Sequence, residues 1–186
     1  MITQLHRPIA SRLRGTWTAL ITPFDDGELD LATLRALIEH QIASGVDGLL
    51  VCGSTGEASS LTDDEYRQVI ETAVATASGR VPVMAGTGTN STATTIARTR
   101  LAHSLGVDAA LVVAPWYNRP TQAGLIAHME AVAAATPLPI VLYNVPGRTG
   151  TDLLPDTAIR LSRTPGIAGL KEASGDVGRV ACIASR

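Results

Sequence analysis

Cysteine is scarce in this sequence. The 186 residues include two, Cys52 and Cys182, far apart and without the partner spacing that a disulfide framework or a zinc site needs. Cys52 falls in an apolar strand and reads as a small buried residue. Paired histidines are missing as well. None of His6, His40, His103 and His128 belongs to an HExxH or similar ligand pattern, and the last three read as ordinary residues of predicted helices. No metal site is expected. Nor is there an excess of either charge. The formal net charge is -2 and the pI about 6.1, which excludes the electrostatic footprint of a nucleic-acid binder.

Long hydrophobic runs are also lacking. The longest, Ala109 to Trp116, is far too short to span a bilayer. Met1 to Arg14 carries three arginines and a histidine but no continuous apolar stretch, so it reads as an N-terminal extension over 1–14 rather than a secretory signal. A soluble protein of a reducing, cytoplasmic compartment is expected. Nucleotide fingerprints are absent too. Gly86-Thr87-Gly88 would need a glycine at position 91, which is Ser91, and Gly53-Ser54-Thr55-Gly56 lacks the lysine of a P-loop.

Hydrophobic residues make up 45% of the chain and charged residues 17%, a balance that rules out disorder and suits an interior-rich α/β protein. Strands and helices alternate from end to end. Strands are predicted at Thr16–Pro23, Gly48–Cys52, Val81–Ala85, Ala109–Ala114, Pro139–Asn144 and Ile167–Lys171. Between them lie predicted helices at Leu31–Ser44, Asp63–Ala77, Ser91–Leu105, Gln122–Ala135 and Asp156–Arg163, and a last helix begins near Asp176. Thr62 and Glu65 give the second helix a capping-box pattern, and Gly45 and Gly106 close the first and third. The strands are continuously apolar and β-branched, as strands covered on both faces are. About one unit per 30 residues matches a βαβ element, and no linker marks a second domain.

Within this frame two segments carry chemistry. Leu142-Tyr143-Asn144-Val145-Pro146-Gly147-Arg148-Thr149-Gly150 and Gly169-Leu170-Lys171-Glu172-Ala173-Ser174 each end an apolar run with an ionisable side chain. A lysine at that place loses solvation, which disfavours its charged form and lowers its pKa. The neutral amine is the species that attacks a carbonyl to form a Schiff base. A lysine that snorkels its ammonium to water fits the same position. The balance shifts because Tyr143, Arg148 and the Gly53–Glu57 turn sit at the carboxyl ends of predicted strands, where parallel α/β folds assemble their sites. Taken singly, each has a plainer reading. Tyr143 fits a strand tyrosine with a partnered hydroxyl, Arg148 a solvated loop arginine, Tyr117 with Trp116 an apolar interface patch, and Thr55 a helix N-cap ahead of Glu57. Glu57 reads as structural, near a helix N-terminus.

Both an open doubly wound sheet and a (β/α)8 barrel accept this alternation. The missing nucleotide fingerprint disfavours the first, and functional-looking residues after successive strands favour the second. Thr22-Pro23-Phe24, Gly53-Ser54-Thr55-Gly56-Glu57, Ala85-Gly86-Thr87-Gly88, Tyr117-Asn118-Arg119-Pro120, Tyr143-Asn144-Val145-Pro146-Gly147-Arg148-Thr149 and Gly169-Leu170-Lys171-Glu172 together resemble the dihydrodipicolinate synthases. These are also called 4-hydroxy-tetrahydrodipicolinate synthases, and belong to the pyruvate-dependent class I aldolases.

The resemblance implies a single TIM-barrel domain over 1–186, incomplete with about six βα units. It implies condensation of pyruvate with aspartate semialdehyde in lysine and diaminopimelate biosynthesis, with no cofactor. It assigns the Schiff base to Lys171, proton donation and acceptance to Tyr143, and the pyruvate carboxylate to Thr55. Tyr117 completes a hydroxyl relay with Ser54, reaching across a dimer interface, and Arg148 takes the carboxylate of the semialdehyde. Ser54 departs from the family's threonine; it keeps the hydroxyl but loses the methyl that limits its rotamers. A homo-oligomer, dimer or tetramer, is expected of the full-length protein. A related aldolase acting on N-acetylneuraminate or a 2-keto-3-deoxy sugar acid is the alternative, and an inactive relative is another. The family pattern has two further βα units beyond Arg186. By themselves, these 186 residues are expected to leave the first and sixth strands as edges, to fold poorly and to show little synthase activity.

Overall fold

The strand–helix alternation read from the sequence is present in the structure, a computed structural model that describes residues 13–186. The N-terminal extension inferred over 1–14, like His6, thus falls almost wholly outside the described residues. Two compact units divide the chain. One reaches Gly86 and includes Ser104–Ala109; the other comprises Thr87–His103 and Ala110–Arg186.

The first unit contains β1 (Trp17–Ala19), β2 (Phe24–Asp25), β3 (Glu28–Leu29), α1 (Leu31–Ala43), β4 (Gly48–Val51), α2 (Asp63–Ala77) and β5 (Val83–Gly86). β4 is parallel to β1, with Thr18 opposite Leu49, and to β5, with Leu50 opposite Met84. Every residue of β4 is buried, which is why its sequence is an unbroken Gly-Leu-Leu-Val rather than an alternating pattern. The predicted strand Thr16–Pro23 is shorter than expected. After Leu20, whose N–H still donates to the Leu50 carbonyl at 2.9 Å, the chain leaves the ladder and folds an antiparallel hairpin, β2 with β3. Its turn residues Asp26 and Gly27 both have positive φ, 48° and 85°, the conformation that makes Asp-Gly a strong hairpin dipeptide.

Helix α2 begins as its sequence predicts. The Thr62 hydroxyl accepts from the Glu65 N–H at 3.3 Å, and the Glu65 carboxylate accepts from the Thr62 N–H at 2.7 Å. Those backbone and hydroxyl bonds from Thr62 hold the Glu65 carboxyl below its ordinary range. Replacing Thr62 by Ala is expected to lower the melting temperature by about 2–4 °C, read by circular dichroism; no change would mean water caps the helix equally well. From the same helix, the buried Tyr66 donates its hydroxyl proton to the Gly86 carbonyl at 2.9 Å. Gly86 has no alternative residue here, since a Cβ would run into the Cys52 carbonyl.

Apart from Ser104 and Ala109 at its boundaries, the second unit contains α3 (Thr92–Ser104), β6 (Ala109–Val113), α4 (Gln122–Ala134), β7 (Ile140–Asn144), α5 (Pro146–Thr149), α6 (Pro155–Leu161), β8 (Ile167–Glu172) and α7 (Val177–Ala184). β6, β7 and β8 are parallel neighbours in chain order, with Val113 opposite Tyr143 and Tyr143 opposite Lys171. β7 is buried throughout, whereas β8 is half-buried at all of its positions. The single turn α5 was not foreseen. Pro146 presets the helical φ at its first position, and Gly150, at φ 68°, closes it in the left-handed conformation. Among the described residues, no helix is long and apolar enough to cross a membrane.

Candidate active site

Lys171 and Tyr143 occupy paired positions at the carboxyl ends of β8 and β7. Because strand side chains alternate between faces, register partners point the same way, and the Lys171 Nζ lies 4.4 Å from the centre of the Tyr143 ring. Tyr143 is buried and Lys171 half-buried. Burial pulls the Lys171 pKa below the ordinary lysine value, as expected when water is withdrawn from an ammonium. The ring face acts the other way, since an aromatic quadrupole favours a cation above it. An amine in this setting is held over an aromatic ring yet remains partly solvated.

The sequence holds one further signal at this site. Lys171 is the only lysine among the fifteen Lys and Arg residues of this sequence. Arginine stays protonated under all ordinary conditions, so no other side-chain amine here competes for a carbonyl.

Two other expected residues share this unit. Arg148 is exposed in α5, directly after β7. Tyr117, in the β6–α4 connection, is 87% exposed and has φ 69°, rare and strained for a bulky residue. Its backbone is tied to the Arg148 turn, because the Tyr117 N–H donates to the Thr149 carbonyl at 3.1 Å. Thr149 is held in turn by donating its own hydroxyl proton to the Thr151 carbonyl at 2.8 Å. Asn118 donates its side-chain amide to the Asn90 carbonyl at 3.0 Å. The strained backbone is thus pinned at both sides.

Ser54 and Thr55 lie in the first unit, exposed in the turn after β4. β4 ends at Val51; the next residue, Cys52, has φ 53°, and the chain then doubles back with the Gly56 N–H bonded to the Gly53 carbonyl at 3.1 Å. Thr22 fixes this turn from below, donating its hydroxyl proton to the Gly56 carbonyl at 2.7 Å. The plainer expectation for Thr55, a helix N-cap, does not hold, since α2 starts later and is capped by Thr62. Cys52 is buried, as read.

A polar cluster behind the lysine went unread in the sequence. Asn144 donates its side-chain amide to Asp152 at 3.0 Å and to both Glu172 carboxylate oxygens at 3.1 Å. Its own carbonyl accepts from the Leu153 N–H at 2.9 Å. Arg179 of α7 donates to Asp152 at 2.9 Å and to the Leu153 carbonyl at 2.8 Å. Burial by itself raises the Asp152 pKa; the bonds from Arg179 and Asn144, with the Arg179 charge, outweigh it and hold the carboxyl below its ordinary value. The pattern was visible only as Asn and Glu each following a strand-end reactive residue.

Comparison with known proteins places the chain. Residues 12–186 match the Dihydrodipicolinate synthetase family. A 4-hydroxy-tetrahydrodipicolinate synthase of Xanthomonas campestris pv. campestris is 57% identical over 172 residues, covering 92% of this chain and 57% of that protein. Among solved structures, a monomeric dihydrodipicolinate synthase variant superposes with a TM-score of 0.92 at 40% identity, covering 96% of this chain and 60% of the other. The chloride-inhibited enzyme of Acinetobacter baumannii complexed with pyruvate gives 0.90 at 48% identity, covering 92% of this chain and 60% of the other. The fold is accordingly that of the (β/α)8 TIM barrel expected from the sequence, and this chain covers part of it. It spans less than two thirds of the length of these relatives.

Proposed function

Because this chain belongs to the dihydrodipicolinate synthetase family, we propose that it serves a lyase in which Lys171 forms a Schiff base with pyruvate. The resulting enamine condenses with L-aspartate 4-semialdehyde to 4-hydroxy-tetrahydrodipicolinate, a step of lysine and diaminopimelate biosynthesis in the cytoplasm. One observation carries the reading: a desolvated strand-end lysine held 4.4 Å from the ring of a buried tyrosine. No organic cofactor or metal is needed for the electron flow, since the imine nitrogen itself serves as the electron sink.

The steps follow from the groups available. The neutral Lys171 amine adds to the pyruvate ketone, and protons move onto the carbinolamine oxygen as water leaves. Loss of a methyl proton then gives the enamine, whose carbon attacks the aldehyde while the aldehyde oxygen takes up a proton; the semialdehyde's own amino group then attacks the imine carbon and displaces the Lys171 amine, closing the ring. A tyrosine hydroxyl can pass such protons in both directions, the role proposed for Tyr143 with Tyr117 and Ser54 as relay. Thr55 and the N–H groups of its glycine turn suit a carboxylate, because such a turn exposes its amides. Arg148 suits the second carboxylate, which a guanidinium grips in bidentate fashion. The exposure and strain of Tyr117 support a tyrosine that completes its surroundings against another subunit of a homo-oligomer, in a single barrel domain per subunit.

Aldehyde choice tests the reading on the whole polypeptide that the gene encodes. With pyruvate fixed, aspartate semialdehyde is expected to be consumed well ahead of a long polyhydroxylated sugar aldehyde. Arg148→Ala is expected to raise the semialdehyde KM at least about tenfold, the scale of a lost charge-assisted contact. Preference for the sugar aldehyde would overturn the assignment.

A further inference from the structure

Behind the reacting pair, on the opposite face of the same two strands, lies the cluster of Asn144, Asp152, Glu172 and Arg179. We propose that these four are positioning residues that lock the ends of β7 and β8 so that Tyr143 meets Lys171, with Asn144 as the hub. The inference rests on the reading of Lys171 as the imine-forming residue.

Register and alternation make the connection direct. Tyr143 faces Lys171, and the next register pair along the strands is Asn144 with Glu172, turned to the other side of the ladder. Just beyond, the ladder is continued by the Ala173 N–H donating to the Asn144 carbonyl at 2.9 Å. The cluster ties both strand ends to the segments that follow them. Asn144 binds Glu172 of β8 and Asp152 of the connection before α6. The Ser174 N–H donates to the Glu172 carboxylate at 2.7 Å, folding the chain after β8 back on it. Arg179, with its Nε 3.8 Å from Glu172, joins the start of α7 to both carboxylates.

Stability alone does not account for this cluster. The Glu172 and Arg179 side chains are 7% and 13% exposed, and buried ionic groups seldom stabilise more than well-packed apolar residues would. The Arg179 Nε has no hydrogen-bond partner, but the other bonds of the network join both strand ends in one geometry. Geometry matters here, because a misplacement of about 1 Å between reacting groups costs on the order of 10²-fold in rate.

Borohydride trapping of pyruvate on the whole encoded polypeptide tests the proposal, with a melting curve for each variant. Asn144→Ala is expected to slow trapping at saturating pyruvate by about 10- to 100-fold, while the half-saturating pyruvate concentration changes by less than about threefold. Glu172→Gln keeps a carbonyl acceptor for Asn144 and is expected to stay within about threefold of the wild-type rate; Glu172→Ala is expected to fall with Asn144→Ala. Arg160→Ala, which breaks a surface pair with Glu130, is expected to change nothing. Wild-type trapping rates in Asn144→Ala, or equal rates in Glu172→Gln and Glu172→Ala, would overturn the proposal. The glutamate pair decides the matter should Asn144→Ala fail to fold. A wild-type protein that acquires no pyruvate adduct at Lys171 would instead refute the Schiff-base reading itself, a different and separable result.

Discussion

Treated with pyruvate and borohydride, the protein is expected to gain one reduced three-carbon adduct, at Lys171, and Lys171→Arg is expected to gain none. Imine formation needs a neutral amine, and a guanidinium does not surrender its proton. The test is unusually clean because no second lysine lies within these residues. Condensation activity is expected to vanish with the adduct, since every later step runs through the imine. The pH dependence follows from the direction of the shift. Burial places the Lys171 pKa below 10.5, so the trapping rate should rise with pH as the neutral fraction grows, and level off before that value. The same shift means that unfolding takes up a proton at this site. Stability from this group is therefore lost as pH falls below 10.5 through the lowered folded value. Peptide mapping of the reduced protein decides the first point: an adduct elsewhere, or one that survives Lys171→Arg, sinks the assignment. A rate that climbs unchanged through 10.5 would show that burial does not set the amine's basicity.

Tyr143→Phe should separate two roles of one side chain. Phenylalanine keeps the ring face 4.4 Å from the amine and so keeps the packing of a buried strand residue, but it has no proton to pass. If the hydroxyl serves as donor and acceptor, kcat should fall by about 10²- to 10⁴-fold, with the pyruvate KM nearly unchanged. The Lys171 adduct should still form, more slowly. Activity within about threefold of wild type would leave Tyr143 as a packing residue, the plainer reading of its position. Complete loss of the adduct together with loss of cooperative melting would place its role in the fold.

Much of the architecture lies in local pattern. The Val-Leu-Tyr-Asn and Gly-Leu-Lys-Glu strand ends, the Thr62–Glu65 box and the unbroken aliphatic run of β4 are all nearest-neighbour signals, and each appears in the structure where it was expected. Errors gathered where local signals competed. The run from Thr16 to Pro23 is apolar enough for one long strand, yet Pro23 has no N–H to continue a ladder, and the Asp26-Gly27 turn draws the following residues into a hairpin. Pro146 and Gly150 likewise bracket a helical turn too short for periodicity to register.

The site divides along the same line. That Lys171, Tyr143 with Arg148, Ser54 with Thr55, and Tyr117 lie at or after the ends of four strands was determined by the sequence, because periodicity and turn residues fix where strands stop, and resemblance to a family supplied their roles. That Tyr143 and Lys171 are register partners, that burial depresses the lysine, that Tyr117 is held in a strained backbone, and that Asn144, Asp152, Glu172 and Arg179 close into one cluster could be decided only by the tertiary structure. Each of these depends on which strand lies beside which and by how many residues they are offset. No local propensity encodes that offset; it is set by packing between segments up to 35 residues apart, such as Asn144 and Arg179 around Asp152.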